Sequence, residues 1–386
     1  MDNPDMKYKH FLRDAFILLG SMMSVMAGAT IAPALPEMAR YFGDQPDSEF
    51  LVKIMLTVPS LFIALLSPFA GMGIDRFGRK VMLLPAIALY GIAGVSGFFL
   101  DDLYLILVGR AFLGVSVAVI MAGFITLIGD YFEGERLNKF MGLQAAFISF
   151  AGVIFLFFSG LLAEIEWRHP FLMYFFAFLI FPGVALFVKE PPREQSSESR
   201  AGIPFRMLMR AAGWIFALAF LLQAIFLVVP VQLPFVFSEA GISNTKMGIS
   251  LSFWIFCSAV ISIFYKKFRT MFSFNSIYII AFLMWAVGYF LVASDMGYWV
   301  MMAGLLLAGA GNGLALPNIK VHLLSKVGPE YRGRAVGLLT MFFYFGQFVS
   351  PIIFTLILID ESIQSGFAIL GGFMAAMCIV FFIVKK

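Results

Sequence analysis

The stretch Gly71-Met72-Gly73-Ile74-Asp75-Arg76-Phe77-Gly78-Arg79-Lys80 joins two long apolar runs, residues 51–74 and 81–100. Within ten residues it sets one acid, three bases and the turn-forming Gly71 and Gly78 into a chain otherwise starved of charge. A charged connection this short, between runs long enough to cross a bilayer, has to lie at a membrane surface.

Composition leads to the same place. The 386 residues are 61% hydrophobic and 13% charged, with a mean hydropathy of +0.93, whereas soluble domains carry about 25% charged residues. Apolar runs recur at roughly 15–38, 51–74, 81–100, 103–128, 140–163, 170–188, 211–237, 247–264, 274–293, 298–322, 336–359 and 364–384. Each is long enough to cross a hydrocarbon core of about 30 Å. Backbone groups in lipid must be satisfied within the segment, so the runs are predicted to be helices. They lack the two-residue alternation of barrel strands. The expected class is an all-α integral membrane protein of twelve transmembrane helices.

Charge placement orients the chain. With the N-terminus inside, all 27 Lys and Arg fall on the inner side except Arg40, Lys53, Arg168 and Lys246, which fall outside, and Arg110 and Lys320, which lie within helices. The positive-inside rule then puts both termini in the cytoplasm. The basic excess lies in thin stripes at one membrane face, which excludes nucleic acid as a partner. Cys257 and Cys378 both lie in apolar runs and read as packing residues rather than a disulfide or metal pair. No cleavable signal pattern begins the chain, so the first helix is expected to stay in the mature protein.

One polar stretch, about 189–206, is rich in Pro, Ser and charge and reads as a cytoplasmic linker. It separates residues 1–188 from residues 207–386, six helices on each side. The halves align at a fixed offset. Gly109 and Gly304, Gly114 and Gly309, Glu135 and Glu330, and Gly142 and Gly337 each stand 195 apart. Pro33 and Pro36 end helix 1 as Pro230 and Pro234 end helix 7. A parallel duplication of six helices places a substrate site between the halves near the bilayer midplane.

The opening loop resembles the G-x-x-x-D-R-x-G-R-K/R loop between helices 2 and 3 of the major facilitator superfamily, matching at Gly71, Asp75, Arg76, Gly78, Arg79 and Lys80. Arg110-Ala-Phe-Leu-Gly114 is similar to the family's R-x-x-x-G in helix 4. Trp167-Arg168-His-Pro-Phe171 looks like its W-R-x-x-F before helix 6, and Val188-Lys-Glu190-Pro191-Pro192 like its helix 6 ending. The resemblance, to the twelve-helix bacterial efflux branch, implies the family's two six-helix bundles and transport by alternating access. It also implies a conformational gate in which Asp75 meets the start of helix 11 near Arg334, latching the outward-facing state and releasing in the inward-facing one. Two departures stand out. Gly152-Val-Ile-Phe-Leu-Phe-Phe-Ser-Gly160 lacks the Gly-Pro pair usual in drug–proton antiporters. The second copy of the charged loop, Tyr265-Lys266-Lys267-Phe268-Arg269, has lost its Asp and Gly.

Polar groups inside the helices are the substrate-binding or coupling candidates. Arg110 lies about seven residues, or roughly 10 Å, below the outer end of helix 4. A guanidinium at that depth must face the bundle interior. It could bind an anionic group bidentately, or serve structurally on helix-end carbonyls. All 23 Asp and Glu fall in loops or near helix ends, which leaves peripheral groups for proton coupling: Glu37, with an interfacial pair to Arg40 as its alternative, and Asp14 and Asp130. Lys320 and His322 are expected to snorkel to water. Thr30, Thr126, Gln144, Gln223, Gln232, Asn312, Asn318 and Gln347 are either cavity contacts or helix–helix hydrogen-bond glue. The 47 Phe and 23 Met suit adaptable binding of bulky, partly apolar molecules.

No metal-ligand spacing, nucleophile elbow or phosphate-binding loop occurs, so neither an enzyme nor a nucleotide-driven pump is expected, and no cofactor. The expected function is export of a small, partly apolar organic molecule, a drug-like compound or metabolite, by proton antiport across a bacterial-type inner membrane, the protein acting as a monomer. Symport or uniport of an organic anion through Arg110 is the alternative, and a membrane enzyme or receptor-like module a more distant one.

Overall fold

The computed structural model describes residues 4–191, 205–328, 331–358 and 362–384. Most of the predicted linker, residues 192–204, lies outside them, as do Glu330 and the terminal Lys385 and Lys386. Twelve helical spans are long and apolar enough to cross a membrane: α1 Tyr8–Tyr41, α2 Ser48–Phe77, α3 Arg79–Phe99, α4 Leu103–Tyr131, α5 Gly134–Ile165, α6 His169–Phe187, α7 Met207–Glu239, α8 Asn244–Ile263, α9 Phe274–Ala293, α10 Tyr298–Lys326, α11 Arg332–Ile357 and α12 Ile363–Ile383. A short helix, Tyr265–Met271, joins α8 to α9. The spans outrun the predicted apolar cores chiefly at the loop-facing ends, where polar turns continue the helical backbone.

Helix α1 is broken twice, the second time at a pair of prolines. In α1 the backbone is interrupted after Ser21 and again between Ala29 and Leu35, where Ala32–Ala34 forms a 3₁₀ turn. Pro33 and Pro36 have no N–H to return to the preceding turn, and their rings crowd it. Its counterpart α7 stays helical through Pro230 and Pro234. The expected symmetry of the two proline pairs therefore holds in sequence but not in backbone.

The offset of 195 is physical. A Cβ on Gly114 would lie 2.5 Å from the carbonyl oxygen of Pro59, and one on Gly309 would lie 2.4 Å from that of Trp254. Pro59 and Trp254 are themselves 195 apart. Likewise Gly109 packs on the carbonyl of Ala93 and Gly304 on that of Gly288, again one offset apart. In both halves the fourth helix thus presses its backbone onto the second and third at the same points. Lipid tails are as apolar as leucine side chains, so close backbone packing is a main source of helix association.

Gly114→Val and Gly309→Val should each force α4 off α2 or α10 off α8. Each should lower the thermal unfolding midpoint of the purified protein by an amount corresponding to about 1–3 kcal/mol of overpacking. Gly142→Val, at a position with open space around it, should leave the midpoint unchanged.

Candidate transport site and gate

The halves meet differently at the two membrane faces. At the end remote from the basic loops they are in contact. Asn244, opening α8, donates from Nδ2 to Glu37 Oε1 at 2.7 Å and to the Ala163 carbonyl at 3.1 Å. The Thr245 amide donates to Glu164 Oε2 at 2.9 Å. Beside them Gly160 of α5 and Gly248 of α8 touch, and a Cβ on either would lie 2.7 Å from the other's Cα. On the far flank Lys53 of α2 is 5% exposed. Its ammonium lies 2.5 Å from Glu49 Oε1 and 4.5 Å from the ring centroid of Phe235 on α7.

At the basic end the halves part around a cavity of about 640 Å³. Ser67 and Pro68 of α2, Met121 and Ile125 of α4, and Arg334 and Met341 of α11 are among its walls. Between cavity and seal runs a polar seam. Ser60 Oγ of α2 donates to Gln347 Oε1 of α11 at 3.0 Å, and Gln347 Nε2 donates to Gln223 Oε1 of α7 at 2.7 Å. One turn nearer the cavity, the Tyr344 hydroxyl donates to Met121 Sδ at 3.2 Å.

The remaining candidates are held within one half. Arg110 is 1% exposed. Its Nε donates to the Met55 carbonyl at 3.1 Å, one terminal nitrogen to the Tyr174 hydroxyl at 2.6 Å, and the other to the Ala27 carbonyl. The partners explain the arginine. Pro59 has no N–H for Met55, four residues back, and Ala27 is in the last turn of the broken helix Met23–Ala29. Gln144 donates to Ser21 Oγ at 2.8 Å, and Asn312 to Ser258 Oγ at 2.9 Å. Asn318 accepts from Tyr265 and donates to the Phe274 carbonyl. Thr30 and Thr126 bond back to Met26 and Ala122 of their own helices. Gln232 is fully buried, and both its amide atoms lack a partner among the described residues.

Two expectations need correction. Glu37 takes Asn244 rather than Arg40 as its partner, because the closed end brings α8 onto α1. Lys53 lies at the end remote from the basic loops and is buried between the halves. His322 does not snorkel. It is buried with its ring stacked on Phe274 at 4.2 Å and edge-on to Trp214 at 5.0 Å, an aromatic pocket that outcompetes water for the imidazole face. Lys320 is exposed.

Family profiles and relatives agree with this arrangement. The profile of the Major Facilitator Superfamily matches residues 17–274 and 215–386. The chain belongs to the major facilitator superfamily. It is thus a multi-pass membrane transporter of small molecules, not an enzyme. It is 23% identical to the quinolone resistance protein NorA of Staphylococcus aureus strain MRSA252 over 360 residues, 88% of this chain and 89% of that protein. It is 24% identical to multidrug resistance protein 1 of Bacillus subtilis strain 168 over 75% of this chain and 76% of that one. Over 40% of each chain it is 30% identical to the bacillibactin exporter of the same strain. Among solved structures, a D-xylose–proton symporter superposes with a TM-score of 0.77 at 17% identity, covering 95% of this chain and 97% of that one.

The superfamily loop between α2 and α3 is fastened to its own half. Gly78 takes φ 108°, a conformation side chains with a Cβ avoid, and lets α3 begin immediately after α2 ends. The Glu190 carboxylate then accepts from the Arg79 and Lys80 amides at 2.7 and 2.8 Å. It caps the otherwise unpaired, positive start of α3. Arg79 pairs with Asp130 at 2.8 Å, and Lys80 Nζ donates to the Ala185 carbonyl at 2.6 Å. Arg76 lies over Phe77. Asp75 is exposed with no hydrogen-bond or ion-pair partner among the described residues. Asp14 is paired with Arg13.

Ser60, Met121, Tyr344 and Lys53 join the site only through the structure. The one sequence signal was the Glu49–Lys53 spacing of four, which marks a helix pair. Arg110→Ala should leave the Met55 and Ala27 carbonyls and the Tyr174 hydroxyl without their donor in a dry interior. We expect a loss of about 3–5 kcal/mol of stability, read as a lowered unfolding midpoint. Arg110→Lys should recover only part, because an ammonium cannot span three acceptors in the guanidinium's fixed fork.

Proposed function

We propose that the chain exports small, partly apolar organic molecules by alternating access, in exchange for protons, with its basic face and both termini in the cytoplasm of a bacterial inner membrane. The observation that carries the reading is the cavity between the halves, open toward the basic loops and sealed beyond the Ser60–Gln347–Gln223 seam. Its Met, Ile, Leu and Ala walls suit a bulky apolar body, and its size falls within the range of about 300–1,000 Å³ that holds drug-sized ligands. The asymmetry of Lys and Arg supports a cytoplasmic basic face. Relatives named for quinolone resistance, multidrug resistance and bacillibactin export support the outward direction.

In this reading Gln223 and Gln347 contact substrate, and Gln232 is a reserve contact for the state open to the other face. Gln144, Asn312, Asn318 and Arg110 hold helices together. The Asp75–Lys80 loop is the gate. Glu37 leaves Asn244 when the remote end opens, which makes it the carboxylate whose surroundings change with access, the requirement for a coupling group.

Reconstituted vesicles with an acid lumen test the proposal. Addition of a transported compound should draw protons out as the compound accumulates, and Glu37→Gln should uncouple the two. Transport indifferent to the pH gradient would remove proton exchange while leaving the transporter reading intact.

A further inference from the structure

We infer that the cavity selects uncharged amphiphiles carrying an amide, carbonyl or hydroxyl group, and that Gln347 reads that group. The inference rests on the export reading above and names the substrate chemistry of its site. On α11 the cavity-lining positions Arg334, Leu338 and Met341 recur every three or four residues. The same stripe continues through Tyr344 to Gln347, and on α2 Ser67 and Ser60 are likewise two turns apart on one face. The Ser60–Gln347–Gln223 chain therefore stands over the deep end of the cavity.

The chemistry of that end is neutral. Gln347 spends one carbonyl lone pair on Ser60 and one N–H on Gln223, and half of its capacity remains. Gln347 is itself only partly buried, so a ligand amide or hydroxyl can engage the spare donor and acceptor or exchange with Ser60 without orphaning a group. Among the described residues the lining includes no carboxylate, and Arg334 is the one charged side chain. Of the described acids at the same membrane face, Asp14 is committed to Arg13, Asp130 to Arg79 and Glu190 to the start of α3, while Asp75, Glu133 and Glu135 are exposed. An organic cation entering the cavity would lose hydration with no counter-charge to replace it.

The test uses the full chain in lipid nanodiscs and two labelled naphthyl probes of one body. They are N-(2-hydroxyethyl)-1-naphthylacetamide and its analogue with trimethylammonium in place of the hydroxyl. Equilibrium dialysis, corrected with empty nanodiscs, gives binding. The wild type should hold the uncharged probe about tenfold or more tightly than the cation, a factor of the order of one hydrogen bond. Gln347→Glu, placing a carboxylate at the deep end, should reverse that order. Gln347→Leu should weaken the uncharged probe about tenfold with no gain for the cation, and it decides the matter if the Glu variant is not monodisperse. Wild-type binding of the cation as tightly as the alcohol would overturn the inference and leave export standing. An unchanged order and affinity in both variants would overturn the role of Gln347. Binding of neither probe, together with no transport in the acid-lumen vesicles, would overturn the export reading itself.

Discussion

Every backbone carbonyl in hydrocarbon needs a donor, and each one left bare costs several kcal/mol. Helices normally meet this rule alone. Here Pro59 denies it to Met55, and the break after Ala29 leaves the end of the helix Met23–Ala29 open, at the depth where α1 and α2 meet α4 and α6. The repair is Arg110, which reaches α1 and α2 at once and is steadied by Tyr174, while the Tyr90 hydroxyl donates to the Met23 carbonyl. In the second half the side chains that bond α7 carbonyls are neutral: Tyr289 donates to the Ile225 carbonyl and Ser350 to that of Ala224. Insertion of a guanidinium is tolerable because each of its three nitrogens finds an acceptor within protein.

The consequence is two stitched bundles with a lighter seam between them. Arg110, Gln144, Tyr90 and the Glu190 cap all act inside the first half; Asn312, Asn318 and Tyr289 all act inside the second. Among the described residues the interface is crossed by Asn244 on a carboxylate and a carbonyl, a backbone amide on Glu164, Ser252 on the Val153 carbonyl, a lysine over a ring, Tyr344 on Met121 and Ser60 on Gln347. Such contacts can be exchanged for water when one face opens, whereas the Arg110 cluster cannot. A body that is rigid within each half and exchangeable between them is what rocking requires.

The fold was legible because its constraint is one-dimensional. Twelve apolar runs, a stripe of base on one face and a repeat at fixed offset are properties of spacing, and spacing is what sequence displays. Even the packing role of Gly109 and Gly114 lay in the match to Gly304 and Gly309. The site was less legible because its membership is a matter of helix rotation. Gln144, Gln223, Asn312 and Gln347 look alike in sequence, yet of these only Gln347 bonds across the halves, to Ser60, while the other three bond within one half. Arg110 stood open between ligand and structure, and the deciding facts were a proline four residues after Met55 and a helix end after Ala29. Lys53 was placed outside because its distance from the loop fits the water face. Phe235, which covers it, is 182 residues away in sequence, from 53 to 235.

The duplication also shows where the halves have stopped being equivalent. Ser60 and Gln347, which meet on the α2–α11 flank, correspond at the offset of 195 to Ile255 and Gly152 on the α5–α8 flank, where a Cβ added to Gly152 would lie 3.2 Å from Ile255 Cγ2. Lys53 corresponds in the same way to Gly248, and Thr355 to Gly160. One flank therefore brings two glycine backbones into contact, with Ser252 and Asn244 of α8 bonded to α5 carbonyls beside them, and the other carries a hydroxyl, an amide and a buried ammonium. A close backbone contact reinforced by bonds to backbone carbonyls resists separation. A polar seam can part and be rehydrated. The α5–α8 flank is thus suited to act as the pivot, and the α2–α11 flank as the side on which the substrate path opens. The cavity bears this out in its composition, with α2 and α11 contributing walls while α5 and α8 contribute none of its lining residues.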